Sequence, residues 1–594
     1  MFGTHGRKAS SLIAVVLVWA SMMVVALGLV YRYGTRIFPQ NDEVWALDDA
    51  GPGIHLDWLW KPWAEHRMPL AKLIWKGVLQ RTGYDFRAGN FLTVLALAAI
   101  AGAMIWTARK IRGHTILADA FFPLAILNFG QAQVFLWWWQ VNHVLAPILA
   151  SVLLAIVVLH GKDPQPAHLR WIAMGLIVLV LCGPGGLPYV GIFAAWLILW
   201  IAMRKQRALL LIPISIAFAL LAFYFVDYTP HFPVNDPPST PSWPPPAGLL
   251  RSAIAGLQIL GVSLGIATKP YATLSGFGIF TLGFATAVVL IRRMLKRPIE
   301  GLRDPGLLLV LGAAAVLVFI VGRSRAGMGL DYIYQGHYLI LVVPALCCIY
   351  FVWEIRGGVP ARLIQFGLLF VLAALLPLNL RAAIQVGRDT QQKSSSFERD
   401  LRKGTPAAVL AERHFASDVV PRADRLTMIL KSHKANHIGI FAEIRDDPAM
   451  QVETMDAGTA ILDQIVLSEG IASSTAGRHP LGSLTWNLNQ ARHVYALRLR
   501  YAYIKSANPW PTLHAYWADS ATQDFNMAAA LFSTVAGPDQ PTWALVDGRL
   551  QTSAKLRTER TLTIWVDAKI DRFRIYLEPC EVRFSKIELL VPAP

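Results

Sequence analysis

The feature that most constrains this chain is a succession of apolar runs, at roughly 11–31, 90–107, 115–130, 143–160, 171–182, 187–203, 207–226, 271–291, 306–322, 338–353 and 362–378. Most approach the ~20 residues that a helix needs to cross a hydrocarbon core of about 30 Å. Only backbone that satisfies its own hydrogen bonds is stable there, so runs of this kind fold as helices. Composition agrees, with 55% hydrophobic and 16% charged residues and a mean hydropathy of +0.44. The sequence predicts a polytopic α-helical membrane protein of about 11 spans. The first run follows Arg7 and Lys8 and lacks a small-x-small cleavage site, so it reads as a retained signal-anchor.

Basic clusters set the orientation. Arg7-Lys8, Arg109-Lys110-Ile111-Arg112, Lys162 to Arg170, Arg204-Lys205-Gln206-Arg207, Arg292 to Arg297 and Arg356 to Arg362 fall on one side, which the positive-inside rule makes cytoplasmic. The other side receives the loop 32–89, Gly130 to Gln140, Gly183 to Gly186, 227–248, Gly322 to His337 and everything after 379. The loop 32–89 is itself rich in Arg and Lys, but charge counting is weak for long loops. Parity then makes Leu249 to Ala267 re-entrant or interfacial, because a crossing there would place Arg292 to Arg297 outside. Pro237 to Pro246 is too rich in proline for a helix and reads as an ordered external loop or a flexible linker. The net charge of +17 sits largely in these juxtamembrane clusters, which argues against nucleic acid as a partner. The four cysteines are too few and too scattered for a disulfide framework or a zinc cluster.

The organisation follows from where the spans stop. Residues 1–380 read as a multispanning domain with the external loop 32–89, 381–449 as a helical connector, and 450–594 as an antiparallel β-sandwich of carbohydrate-binding type. The sandwich rests on alternating stretches such as His493 to Tyr503, Leu562 to Val566 and Phe573 to Tyr576. Asp571-Arg572-Phe573-Arg574 either caps a sheet edge there or touches glycan.

Chemistry-bearing residues crowd the external loops. Asp42 and Glu43 follow the first span by about ten residues, close enough to the bilayer surface to deprotonate a hydroxyl or hold a divalent cation, or simply to be solvated. From Ala64 to Gln80, apolar residues share the segment with Lys72 and Lys76, one turn apart, which predicts an interfacial amphipathic helix. Glu65, His66 and Arg67 head it, as a phosphate site or as locally paired charges. Arg323 and Arg325 lie on another external loop, suited to a phosphate or to lipid headgroups. Trp138, Gln140 and His143 belong to a stretch that reads as an interfacial aromatic belt or a sugar-stacking platform.

A carboxylate pair after the first span, an amphipathic external helix, about 11 spans and a C-terminal external domain together resemble the glycosyltransferase C superfamily. Asp42-Glu43 is similar to the Asp-Glu of its protein mannosyltransferase and aminoarabinose transferase branches. Glu65-His66-Arg67, the Gln131 to His143 turn, Gly322-Arg323-Ser324-Arg325-Ala326-Gly327 and His337-Tyr338 resemble motifs of poorly characterised bacterial members. His337 stands where the expected pattern has Arg before Tyr. The resemblance implies an inverting transfer from a polyprenyl-phosphate sugar to an extracytoplasmic glycan, lipid or protein. It also implies a bacterial cytoplasmic membrane, a cytoplasmic N-terminus and an extracytoplasmic C-terminal domain. Asp42 becomes the base or the ligand of a divalent cation, Mg or Mn, and Glu43 shares that role. Arg323, Arg325, His337 and Tyr338 receive the donor phosphate, and Glu65, His66 and Arg67 line the same cavity. A flippase of lipid-linked sugars and a non-catalytic envelope glycan-assembly protein are the alternatives.

Overall fold

The computed structural model describes residues 2–40, 42–64, 66–204, 211–228, 248–296, 302–327, 333–414, 423–474, 482–506, 513–518, 533–534, 544–546, 549–551, 559–577 and 580–594; of Asp42 it describes the backbone alone. Glu65 and the Pro237 to Pro246 stretch therefore lie outside the described residues. By its contacts the chain divides into two units, 1–233 with 245–395 and 234–244 with 396–594.

Among the described residues seven helices are long and apolar enough to cross a membrane, the first six within the first unit: Ser10–Tyr33, Phe86–Arg112, Trp138–His160, Ile266–Lys296, Arg303–Arg325, Gly336–Arg356 and Gly358–Arg402. Four shorter apolar helices accompany them, Pro166–Leu181, Leu187–Ile201, Leu211–Tyr224 and Leu249–Val262. The last of these has 14 residues, about 21 Å at 1.5 Å per residue, which is short of a bilayer core. It packs backbone to backbone against the following helix, since a methyl at Gly276 would fall 1.7 Å from the Leu257 carbonyl oxygen and one at Gly261 1.9 Å from that of Ala272. Such close approach through small residues is how helices associate where no hydrophobic force separates them from lipid.

Two apolar runs depart from expectation. The run at 115–130 is not one span: it breaks into 3-10 turns at Leu117–Ala120 and Phe129–Gln131 and short helices at Phe121–Ile126 and Ala132–Leu136. The cause is local competition for the backbone. Asn128 accepts from Gly130 N at 2.8 Å through Oδ1 and donates to Leu264 O at 3.0 Å, a carbonyl that also receives Asn379 Nδ2 at 3.0 Å. Broken backbone is tolerated at this depth because protein surrounds it, with Phe121, Phe122, Ile126 and Leu127 fully buried. At its start Asp119 accepts from Arg112 at 2.9 Å and from the Tyr350 hydroxyl at 2.7 Å, and Arg112 also pairs with Glu354. The last run, expected to end at 378, continues as a single 45-residue helix, Gly358–Arg402.

In the second unit that helix ends in a Schellman arrangement, with Gly404 at φ +73°, Thr405 N donating to Asp400 O and Gly404 N to Leu401 O. Helices Ala407–His414 and Ala423–Ala435 follow. Strands then run β1 (Met450–Met455), β2 (Ile461–Asp463), β3 (Ile465–Ser468), β4 (Ile471–Ser474), β5 (Gly482–Ser506), β6 (Leu513–Ala518), β7 (Ser533–Thr534), β8 (Ala544–Val546), β9 (Arg549–Gln551), β10 (Arg560–Leu577) and β11 (Cys580–Pro592). Nine of them form one antiparallel sheet along the path β3-β4-β11-β5-β10-β6-β7, with β1 on β11 and β2 on β5. In place of the two facing sheets expected, the described residues form this nine-stranded sheet and a separate β8-β9 pair. Strands β5 and β10 run its full length and bend at register shifts between Trp565 and Ala568 and between Ile570 and Arg572. Leu484 and Trp486 from one half of β5 share a single core with Leu497, Leu499 and Tyr501 from the other, so the sheet curls over itself.

Candidate functional site

Within the first unit, segments far apart in sequence meet at one end of the helices. Asp42 and Glu43 open a nine-residue helix, Asp42–Ala50, rather than lying in a loop. Glu43 is 1% exposed. Its Oε1 accepts from Trp139 N at 2.9 Å and Trp75 Nε1 at 3.4 Å, and its Oε2 accepts from Gln40 N at 2.8 Å. The bond to Gln40 is one half of a capping box. Glu43 therefore anchors the first long loop to the Leu136–Trp139 segment.

The tryptophans share this joint. Trp138 is 1% exposed, donates to Trp75 O at 3.2 Å, and lies so close to Gly89 that a methyl there would fall 2.0 Å from its ring. Trp139 meets Trp75 and Trp63 edge to face, at 4.8 and 5.3 Å. Gln140 is buried as well. Trp138 and Gln140 thus pack inside this joint.

The Pro69–Arg81 helix is amphipathic as expected, but inverted. Its buried residues are Ala71, Lys72, Trp75, Lys76 and Leu79, while Leu73 is 43% exposed. Lys72 Nζ donates to Trp58 O and Lys61 O at 2.8 and 2.7 Å, and Lys76 Nζ to Gly51 O at 2.8 Å. Those carbonyls end the helices Leu56–Trp60 and Asp42–Ala50, so each ammonium caps a helix C-terminus. Burial lowers the Lys72 amine to about 7 and the Lys76 amine to about 8. The unfolded chain then binds more protons between those values and the ordinary 10.5, and stability rises with pH across that window. For Lys72 the rise is on the order of 4 kcal/mol, at 1.36 kcal/mol per unit. Thermal unfolding of the purified protein between pH 6 and 10 is expected to show this rise, and Lys72→Met to flatten it.

His66 and Arg67 do not head that helix, which starts at Pro69. Trp63 and His66 exchange backbone bonds at 2.7 and 2.8 Å across a tight turn with Ala64 at φ +50°. An alanine in the left-handed region costs on the order of 1 kcal/mol, strain of a kind that gathers at functional sites. Arg67 is 4% exposed. Its guanidinium donates to the carbonyls of Phe223 (3.2 Å), Tyr224 (2.5 Å), Val226 (2.7 Å) and Asp227 (3.0 Å), and its backbone N to the Tyr224 hydroxyl (3.0 Å). It closes the C-terminal end of the Leu211–Tyr224 helix.

Beside this clamp lies a cavity of about 520 Å³. Val316, Leu317, Ile320, Val321, Leu341, Leu187, Pro188 and Phe225 give it apolar walls, and His66, Asn142, His143, Ser324, Arg325 and Tyr338 make up its polar lining. Pro184 and Gly185 of the tight turn between two helices, and Tyr224 and Tyr228 beside the Arg67 clamp, complete the lining. Arg325 Nε donates to the Tyr338 hydroxyl at 2.8 Å. His337 stands behind, its ring 4.5 Å from that of His143 and 4.4 Å from that of Tyr338.

Of the expected residues, the structure thus brings His66, His143, Arg325 and Tyr338 to one cavity with His337 behind them. Glu43, Arg67, Trp138 and Gln140 are engaged elsewhere, and Arg323 is exposed and outside the lining. Asn142 belongs to the aromatic stretch that sequence reasoning marked, whereas Ser324, between Arg323 and Arg325, is the lining group that it missed. Among the described residues no group of three or more His, Cys, Asp or Glu is placed to hold a metal ion.

Fold and cavity define the class: a polytopic helical membrane protein with a C-terminal antiparallel-sheet unit and an amphiphilic cavity at one end of its helices. No family model matches the chain, and no curated protein matches it. Among solved structures, ArnT from Cupriavidus metallidurans in the apo state aligns over 72% of this chain and 76% of its own, at 14% identity and a TM-score of 0.35. Arabinosyltransferase EmbB from Mycobacterium smegmatis aligns over 97% of this chain and 64% of its own, at 10% identity and a TM-score of 0.32. Superpositions this distant carry no residue across, and the function below rests on the cavity.

Proposed function

We propose that this chain is a membrane glycosyltransferase that takes a sugar from a polyprenyl-phosphate donor and passes it to a glycan, lipid or protein acceptor on the extracytoplasmic face of a bacterial inner membrane. The observation that carries the reading is the division of the cavity, with an aliphatic wall at Val316 to Val321 and a guanidinium, imidazoles and a phenol beside it. A prenyl phosphate has the same division, a long apolar tail and one anionic head.

In the proposed reaction the acceptor oxygen bonds to the anomeric carbon from the face opposite the phosphate. The bond from that carbon to the phosphate oxygen breaks, and its electron pair stays on the phosphate. Arg325, in a cavity of low dielectric, stabilises the charge that develops there. The acceptor proton passes to a base, and Asp42 is the group proposed for it. No step is routed through a cation.

The test is transfer by the full-length protein reconstituted in vesicles with a radiolabelled polyprenyl-phosphate sugar and an envelope extract as acceptor. The expected result is label covalently on the acceptor with release of prenyl phosphate. Label that changes leaflet without changing its covalent partner would show a flippase instead, and label that does neither would leave only an assembly role.

A further inference from the structure

We infer that the cavity reads a neutral, polyhydroxylated donor sugar through His143 and Asn142, with His337 as the group behind them; this rests on the transferase reading above. The Nδ1 atoms of His143 and His337 are both buried, and neither has a hydrogen-bond partner among the described residues. His337 as a whole is 9% exposed. A buried polar atom without a partner costs about 1–3 kcal/mol, and a ligand hydroxyl within reach recovers that cost. An imidazole suits the purpose because its two nitrogens can donate or accept according to tautomer, and a sugar hydroxyl does both.

Position agrees. His143 and Asn142 line the cavity together with Arg325 and Tyr338, so a sugar esterified to a phosphate at Arg325 meets them next. Asn142 Nδ2 is held by Trp139 O at 2.7 Å, which leaves its Oδ1 as the acceptor for a ligand. Gln133 and Trp137 lie outside that lining, beside His337 and Gln335. They lie four residues apart, joined by Trp137 N to Gln133 O at 3.0 Å. Gln133 Nε2 donates to Gln335 at 3.0 Å, and the Trp137 ring is 6.4 Å from His337. Gln133 Oε1 and Trp137 Nε1 are likewise buried without a partner among the described residues.

Charge narrows the sugar further. The described lining offers the sugar His, Asn, Ser and Tyr side chains, which suit hydroxyls rather than an ammonium. Arg325 is the one guanidinium among those lining residues, and the phosphate uses it, so a uronic acid would bring a second anion with no cation of its own. A neutral hexosyl or pentosyl group remains.

The test is binding to the full-length protein in nanodiscs, which is independent of turnover. Four lipids of one prenyl length are compared: the bare phosphate, a neutral hexosyl phosphate, an amino-sugar phosphate and a uronosyl phosphate. The neutral sugar lipid is expected to bind roughly 10- to 100-fold more tightly than the bare phosphate, about two hydrogen bonds recovered, and the two charged sugars no more tightly than the bare phosphate. His143→Ala should remove that increment and leave binding of the bare phosphate within about twofold. His143→Gln, which keeps a donor and an acceptor, should restore part of it and shows that the site still folds. Equal binding of bare and neutral lipids, tighter binding of either charged sugar, or a uniform loss for all four lipids in His143→Ala overturns the assignment. Binding of bare phosphate that depends on Arg325 but gains nothing from any sugar overturns it while leaving the transferase reading standing. No binding of any prenyl phosphate overturns both.

Discussion

Replacement of Arg325 by alanine is expected to lower transfer by roughly 100- to 1000-fold while the protein unfolds at its usual temperature, the loss that follows when one preorganised group is withdrawn from a developing oxyanion. The expectation follows from where the residue sits. Arg325 ends the Arg303–Arg325 helix and is the guanidinium in the described lining, its Nε bonded to the Tyr338 hydroxyl at 2.8 Å. That bond fixes the plane of the fork at the edge of the cavity. Arg325→Lys keeps the charge and loses the fork, so it should recover only part of the rate. Tyr338→Phe should act in the same direction, more weakly, by releasing the fork. Single-turnover transfer together with thermal unfolding separates the outcomes, and a well-folded Arg325→Ala protein with ordinary transfer removes the residue from the mechanism.

Glu43→Ala is expected to act on stability, by several kcal/mol. It strips the acceptor from Trp139 N, Trp75 Nε1 and Gln40 N in a joint where Glu43 is 1% exposed, and each stranded donor costs about 1–3 kcal/mol. The sum is less than additive because the three share one carboxylate. Glu43→Gln presents an amide where a second acceptor is needed, so it too should lower the unfolding temperature, though less. If Glu43 were the base, the two variants would fold normally and transfer nothing. Unfolding temperatures of both, read beside their activities, distinguish an anchor from a catalyst.

The membrane class is legible in the sequence because apolar length is a local property that no distant contact can reverse. So are Arg325, His143 and Tyr338, polar groups at the edges of long apolar helices, where a side chain faces either solvent or a site. What is not legible depends on partners that periodicity does not see. Glu43 looks like half of an acidic pair until the backbone N–H of Trp139, 96 positions away, arrives to occupy it. Arg67 looks like a phosphate ligand until the carbonyls of Phe223, Tyr224, Val226 and Asp227, more than 150 positions away, engage both its terminal nitrogens. The Lys72 and Lys76 pattern correctly marks an amphipathic helix, but its sense inverts because the carbonyls of Gly51, Trp58 and Lys61 solvate the ammoniums from within. The break at 115–130 follows from Asn128, whose side chain bonds Gly130 N and holds Leu264 O as well. In each case a buried polar group found its partner far along the chain, and composition carries no record of which one.

The central claim is that the cavity holds a polyprenyl phosphate by its head at Arg325 and by its tail along the Arg303–Arg325 helix. A structure of the full-length protein with a bound polyprenyl phosphate tests it most directly. The account predicts the phosphate within hydrogen-bonding distance of the Arg325 guanidinium and the first isoprene units against Val316, Leu317, Ile320 and Val321. A phosphate bound at any other place on the protein, with no lipid against those side chains, would contradict it.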